Sequence, residues 1–255
     1  MSRFIALVYS TGSYALFLVV FLYAIGFVAG AGVPKGIDDG VAGPPLVAIA
    51  VDAALLLLFA LQHSVMARPG FKRWWTRIVP EVAERSTFVL ASSLALALLF
   101  WQWQPLPQQV WRVDTPALRI LLFAVSASGW LLLLSSTFLI NHFELFGLHQ
   151  AWRHGRPPLE TPFVTRAFYR IVRHPLMLGF LVAFWATPDM SQGHLLFALA
   201  TTGYILIAVR FLEERDLVAM YGDTYRDYQR RVPMLLPWPK KRASADSGQR
   251  TASSA

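Results

Sequence analysis

Residues 173–214, "RHPLMLGFLVAFWATPDMSQGHLLFALATTGYILIAVRFLEE", decide the fold. Two apolar runs, 175–188 and 194–212, are joined only by the polar connection "DMSQG". Crossing a hydrocarbon core about 30 Å thick takes about 20 helical residues. The second run is long enough and the first is short, so the stretch predicts a tight helical hairpin ending in one long and one short leg. Such a hairpin brings Arg173 and His174, which begin the first leg, to the membrane level at which Glu213 and Glu214 end the second. Pro175 stands at the first helical position, where its missing N–H costs nothing, and the other free N–H groups of that turn face the same level.

Upstream, four further segments reach spanning length: 6–29, 45–67, 87–104 and 117–140. With 55% hydrophobic and 15% charged residues, the apolar residues come in blocks without a polar face. That pattern belongs to a polytopic membrane protein rather than to amphipathic elements around a soluble core. The first segment is too long for a secretory signal and lacks a small-x-small cleavage site, so it is read as a retained anchor. The expectation is an all-α integral membrane protein of five to six transmembrane helices with a C-terminal helical hairpin. It forms one domain over 1–239, with a basic tail, 240–255, expected to be disordered.

Charge sets the orientation. The formal net charge is +8. Arginines and lysines concentrate in 68–85 (Arg68, Lys72, Arg73, Arg77, Arg85), in 141–173 (Arg153, Arg156, Arg166, Arg170, Arg173) and after the last helix. The alternate connections 30–44, 105–116 and 189–193 hold only Lys35 and Arg112. The positive-inside rule then places both termini in the cytoplasm, in the inner membrane of a cell with such a membrane. Basic residues scattered over membrane-proximal loops serve topology and anionic lipid, so nucleic acid is not expected as a partner. The chain has no cysteine, which excludes disulfides and thiolate metal sites.

Polar side chains gather at the cytoplasmic ends. "QHSVMAR", 62–68, places His63 at the end of the second segment, as either an interfacial residue or a functional one. "STFLINHFELFGLHQ", 136–150, sets Asn141, His142, Glu144, His149 and Gln150 among Phe138, Phe143, Leu145, Phe146 and Leu148. Read as one helix, His142 and His149 share a face, and the segment forms a lid or a pocket wall, or else only an interfacial amphipathic turn. A metal site is not expected, because the histidines do not follow a metal-binding spacing. Arg173 and His174 with Glu213 and Glu214 form either a belt of neutralising ion pairs or a clamp for a zwitterionic ligand.

"YRIVRHPLMLG", 169–179, followed by "EERDLVAMYGDTYRDYQRRVPMLLP" resembles the C-terminal signature of the isoprenylcysteine carboxyl methyltransferase and phospholipid methyltransferase superfamily. Within it, the upstream "STFLINHFELFGLHQ" and the six-segment layout look like the bacterial methanethiol S-methyltransferases, with NnrU-type proteins as neighbours. The resemblance implies an enzyme that uses S-adenosylmethionine, bound at the cytoplasmic face by a core within about 136–239, to turn methanethiol into dimethyl sulfide. Carried over by motif, Tyr169, Arg173, His174, Pro175, Gly179, Glu213, Glu214, Tyr225 and Tyr228 are its implied cofactor residues. Met177 departs from the family pattern, where a tyrosine is usual.

Transfer of a methyl from a sulfonium to a thiol needs alignment, exclusion of water and a thiolate, and a free alkyl thiol has a pKa of about 8.5. His142 or His149 is the expected base, oriented by Glu144 or Asn141. His63, Phe143, Phe146 and Leu148 are the expected walls of a small apolar thiol pocket. Other acceptors in the superfamily, a prenylcysteine or a phospholipid, compete with this reading. So do a sterol reductase and a non-enzymatic NnrU-like protein or transporter. The sequence carries no sign of oligomeric state.

Overall fold

The computed structural model describes residues 1–154, 156, 163 and 165–238. The tail from residue 240, expected to be disordered, lies outside the described residues. Among the described residues, five helices are long and apolar enough to cross a membrane: α1 (Arg3–Ala29), α2 (Pro45–Ala67), α4 (Glu81–Gln102), α5 (Pro116–Ile140) and a continuous rod, Gln192–Tyr221. The protein is a multi-pass, all-α membrane protein. Proline opens α2 and α5 at the first helical position, where it is compatible with helix geometry. A short helix, α3 (Pro69–Trp75), follows α2 and carries Phe71 one turn before Trp74 and Trp75, the three rings packing together.

The hairpin forms, but its first leg is shorter than the apolar run. Helix α8 (Pro175–Trp185) has 11 residues, about 16 Å of rise and so roughly half a bilayer core. The chain then leaves the helix, and Asp189–Ser191 (β2) pairs antiparallel with Gln109–Arg112 (β1). Three flanking bonds extend the ladder, Val113 N to Pro188 O at 2.9 Å, Gln192 N to Gln108 O at 2.8 Å and Gly193 N to Leu106 O at 3.0 Å. Non-helical backbone in a membrane protein is tolerated where its polar groups are paired within the protein, as here. The sequence reading did not anticipate this ladder.

Packing places the short helix firmly. Gly129 of α5 and Gly179 of α8 face each other so closely that an added Cβ on Gly129 would lie 2.7 Å from the Gly179 carbonyl oxygen, and the reverse distance is also 2.7 Å. Small residues at a crossing let backbones approach, which is how membrane helices associate. Around that crossing an aromatic core of Phe27, Phe100, Trp103, Trp130, Phe184 and Phe197 knits α1, α4, α5, α8 and α9 (Gln192–Ala208).

The segment after α5 is not one helix. It splits into α6 (His142–Leu145) and α7 (Leu148–Arg153) at Gly147, which adopts φ +85°. A side chain there would also strike Ser86, whose Oγ lies 2.5 Å from the ideal Cβ position. Gln150 completes the docking by accepting the Arg85 N–H at 3.0 Å. "FGLHQ" therefore attaches this segment to the start of α4, and His142 and His149 do not share a helical face.

Candidate functional site

At the end of the hairpin the chain brings together the four charged residues expected there. His174 caps α8 with no side-chain hydrogen bond to its first turn. Arg173 and His174 are instead fixed by their backbones, Arg173 N to Pro233 O at 2.9 Å and His174 N to Met234 O at 3.1 Å. The "VPM" stretch thus straps back across the hairpin mouth, and Leu235 beyond it packs into a small cluster with Ile205, Val209 and Met177.

Opposite, the long rod loosens into a π turn, Val209–Glu213, before resuming as α10 (Glu214–Tyr221). Consecutive residues of an α-helix point about 100° apart, and local widening of this kind occurs at functional sites. Here both neighbours reach one imidazole: His174 Nε2 lies 2.7 Å from Glu214 Oε1, and Nδ1 lies 3.4 Å from Glu213 Oε2.

The two glutamates differ in what remains free. Glu214 is buried, its side chain 5% exposed. Its Oε1 accepts from Arg173 Nε at 2.8 Å, from His174 and from the Tyr225 hydroxyl at 2.8 Å. Its Oε2 accepts from Arg173 Nη2 at 2.9 Å and from Gln229. Arg173 also spends Nη1 on the carbonyls of Val232 (2.6 Å) and Gln229 (3.2 Å). Arg173 and Glu214 are thus a saturated internal lock that holds α11 (Asp223–Arg231) onto the hairpin. By contrast Glu213 is 44% exposed.

Burial alone would depress the His174 pKa, but hydrogen bonds to Glu213 and Glu214 and their charges outweigh it and hold it at about 9. The imidazole is therefore a cation between two carboxylates. Burial also pushes the Tyr169 phenol up, with the Glu213 charge adding to it, so Tyr169 stays a neutral hydrogen-bonding group.

These residues surround a cleft of about 160 Å³, lined by Ile140, Phe163, Tyr169, Arg173, His174, Leu176, Met177, Glu213, Leu217, Tyr221, Tyr225 and Tyr228. Phe163 packs against three tyrosine rings, with centroids 5.0 Å from Tyr221, 5.6 Å from Tyr225 and 5.0 Å from Tyr228. Tyr225 and Tyr228 spend their hydroxyls on Glu214 and on the Tyr169 carbonyl (2.5 Å). The Tyr169 hydroxyl has no hydrogen-bond partner among the described residues.

Six of the nine expected cofactor residues line the cleft, and three do not: Glu214 lies behind the wall as the partner of Arg173 and His174. Pro175 is buried at the helix start, and Gly179 serves the crossing with α5 described above. The motif spacing finds both because the same short helix must begin at the cleft and pack closely one turn later.

The expected catalytic and thiol-pocket residues lie outside the cleft. Asn141 caps α6, accepting the Glu144 N–H at 3.3 Å. Glu144 pairs with Arg153, and His149 Nδ1 stands 3.9 Å from the same carboxylate, so Glu144 does not orient His142. His142 is buried between the Tyr14 hydroxyl, 2.7 Å from Nε2, and Thr137 Oγ1, 2.8 Å from Nδ1. Phe146 stacks on Phe17 of α1 at 4.1 Å, and Phe143 is 44% exposed. Leu148 opens α7, and His63 lies within the α2–α4 contact, 3.2 Å from Ser92 Oγ and stacked on Phe59. The reason is Gly147: once it turns the chain, the aromatic residues of 138–148 meet α1 instead of a common cavity. Tyr14 and Thr137 had no signal in the sequence, since both sit inside apolar runs.

The fold defines a polytopic helical membrane protein with a cleft at a hairpin mouth. The family model described as "NnrU protein" matches residues 53–233. The chain is 57% identical to the methanethiol S-methyltransferase of Mycobacterium tuberculosis over 244 residues, 94% of this chain and 99% of that protein. It is 48% identical to the methanethiol S-methyltransferase of Crocosphaera subtropica over 245 residues, 95% of this chain and 96% of that one. With Nurim of Sus scrofa it shares 35% identity over 186 residues, 68% of this chain and 69% of Nurim. No solved structure matches. The chain belongs to the NnrU family of membrane proteins, on the branch of the methanethiol S-methyltransferases.

Proposed function

We propose that this protein is an S-adenosylmethionine-dependent S-methyltransferase that converts methanethiol to dimethyl sulfide. The acceptor class rests on relatives that carry that name, the M. tuberculosis protein at 57% identity over 99% of its length and the C. subtropica protein at 48% over 96%. The observation that carries the donor assignment is the cleft. It joins one exposed carboxylate, a helix start with uncapped N–H groups and a box of aromatic rings.

Those three features match a zwitterion that bears a sulfonium. The first-turn N–H groups of Leu176 and Met177 suit a carboxylate. Glu213 suits an ammonium group or ribose hydroxyls, and the faces of Phe163, Tyr221 and Tyr169 suit a sulfonium cation. When bound, S-adenosylmethionine supplies an electrophilic methyl group. Arg173 and Glu214 hold the walls in place, while His174 neutralises Glu213 from behind and fixes its direction. Met177 and Leu176 keep the inner wall apolar, which excludes water from the line of transfer.

Membrane orientation follows the same reading. The basic connections and the cleft lie at one end of the bundle, where Arg3 also stands 4.8 Å over the Trp152 ring. That end is cytoplasmic, where a soluble methyl donor is supplied, and both termini face it in the inner membrane.

Purified protein incubated with methyl-labelled S-adenosylmethionine and a panel of methanethiol, a prenylcysteine and a phospholipid amine tests the proposal. Labelled dimethyl sulfide is the expected product. Label found only in the prenylcysteine or the lipid would replace the acceptor, and no labelled product at all would favour a non-enzymatic membrane role.

A further inference from the structure

His142 cannot meet a substrate directly: it is 3% exposed, with both ring nitrogens engaged and Phe138 stacked on its face at 4.1 Å. Its hydrogen bonds nonetheless have a definite sense. Thr137 has one hydroxyl hydrogen and donates it to the Leu134 carbonyl at 2.6 Å. Toward His142 the Thr137 oxygen is therefore an acceptor, so Nδ1 carries the proton. Nε2 of the neutral ring is then bare and accepts from the Tyr14 hydroxyl at 2.7 Å. Burial, which holds the His142 pKa below its usual value, keeps the ring neutral.

The chain of bonds thus runs one way, from the Tyr14 O–H through the imidazole and Thr137 to a carbonyl that can only accept. Its outer end is Tyr14, which is half-buried on α1 beside Phe17, Phe143 and Phe146. Its middle member, His142, is two residues beyond Ile140, which lines the cleft. Helix α1 and the α5–α6 corner, far apart in sequence, meet to make the chain of bonds.

The geometry points to Tyr14 as the group that takes the proton from the acceptor thiol, with His142 as the positioning residue behind it and Thr137 fixing the tautomer. This deepens the proposed methyl transfer and rests on it. As the thiol sulfur attacks the methyl, the S–H proton passes to the Tyr14 oxygen and the phenolic proton moves to His142 Nε2. The C–S bond to the sulfonium breaks, and its electron pair stays on the departing sulfide. The site begins with one positive charge on sulfonium and ends with one on imidazolium. The depressed imidazole pKa then favours return of that proton to solvent. An imidazole that stays neutral until transfer also avoids repelling a cationic donor.

Two readouts test this. In the ligand-free protein, nitrogen NMR of labelled histidines, with the His142 signal assigned by its loss in His142→Gln, should show Nδ1–H and a bare Nε2. A His142 signal of the opposite tautomer would overturn the inference. In the assay, Tyr14→Phe should lower kcat by about 100-fold or more, as expected for losing a general base, with KM for the methyl donor unchanged. Thr137→Val should lower kcat, and Thr137→Ser, which keeps the hydroxyl, should restore it. Wild-type kcat in Tyr14→Phe, or equal loss in Thr137→Val and Thr137→Ser, would overturn the inference and leave the methyltransferase reading standing. Wild-type protein that transfers no methyl to methanethiol would overturn both.

Discussion

Two polar stretches stand at the same end of the bundle and use their polar groups in opposite ways. In 169–174 with 213–214, Arg173, His174, Glu213 and Glu214 converge at the mouth of one cleft and satisfy each other there, and of these four Glu213 alone keeps an exposed side chain. In 138–153, equally rich in histidine, glutamate and aromatic rings, the groups disperse. Gly147 and Gln150 fasten α7 to α4, Glu144 pairs with Arg153, and His142 turns inward to α1. Density of chemically able residues therefore does not identify a site. What distinguishes the cleft at the hairpin mouth is a group left unsaturated beside saturated neighbours that hold it still.

The sharpest way to break this contrast is inside the clamp. Glu214→Ala leaves Arg173 and a cationic His174 buried without their shared carboxylate, so it should cost about 3–5 kcal/mol, read as a lowered unfolding temperature in detergent. Near-wild-type stability would mean the lock is not saturated as described. The same cluster predicts a pH dependence. Because the folded His174 pKa, about 9, is raised above the unfolded value of about 6.5, its stabilisation is complete below about pH 6.5 and is lost as pH rises through 9. Unfolding midpoints measured from pH 6 to 10 should fall across that window, and His174→Gln should flatten the fall.

The hairpin and its charged ends were legible in the sequence because a five-residue connection leaves helices no choice but to lie side by side. Legibility stopped where tertiary contacts override local pattern. The apolar run 175–188 promised a longer helix than α8, because hydropathy does not reveal that 189–191 pairs with 109–112. Arg173 and Glu214 were recognisable as partners, but saturation of both is a property of Gln229, Tyr225 and two carbonyls that reach them from elsewhere. The seven-residue spacing of His142 and His149 promised a shared face, and one glycine with positive φ removed it. Tyr14 meets His142 across 128 positions, a distance no local pattern spans.

Smaller effects sharpen the comparison. Gly179→Ala pushes a methyl against the backbone of α5 and should destabilise by about 1–3 kcal/mol, the usual range for overpacking. Unchanged stability would show that the crossing can open. Glu144→Gln weakens a partly exposed ion pair with Arg153 and should cost about 1 kcal/mol or less, with no change in donor affinity. A loss of donor affinity there would return 138–153 to the binding site.

The most direct measurement is calorimetric titration of S-adenosylmethionine into the wild-type protein and into Glu213→Gln. Binding by the wild type is expected, and binding about tenfold weaker by the variant through loss of one charge-assisted hydrogen bond. Equal affinity in the two proteins, or no binding to the wild type, would contradict the donor assignment.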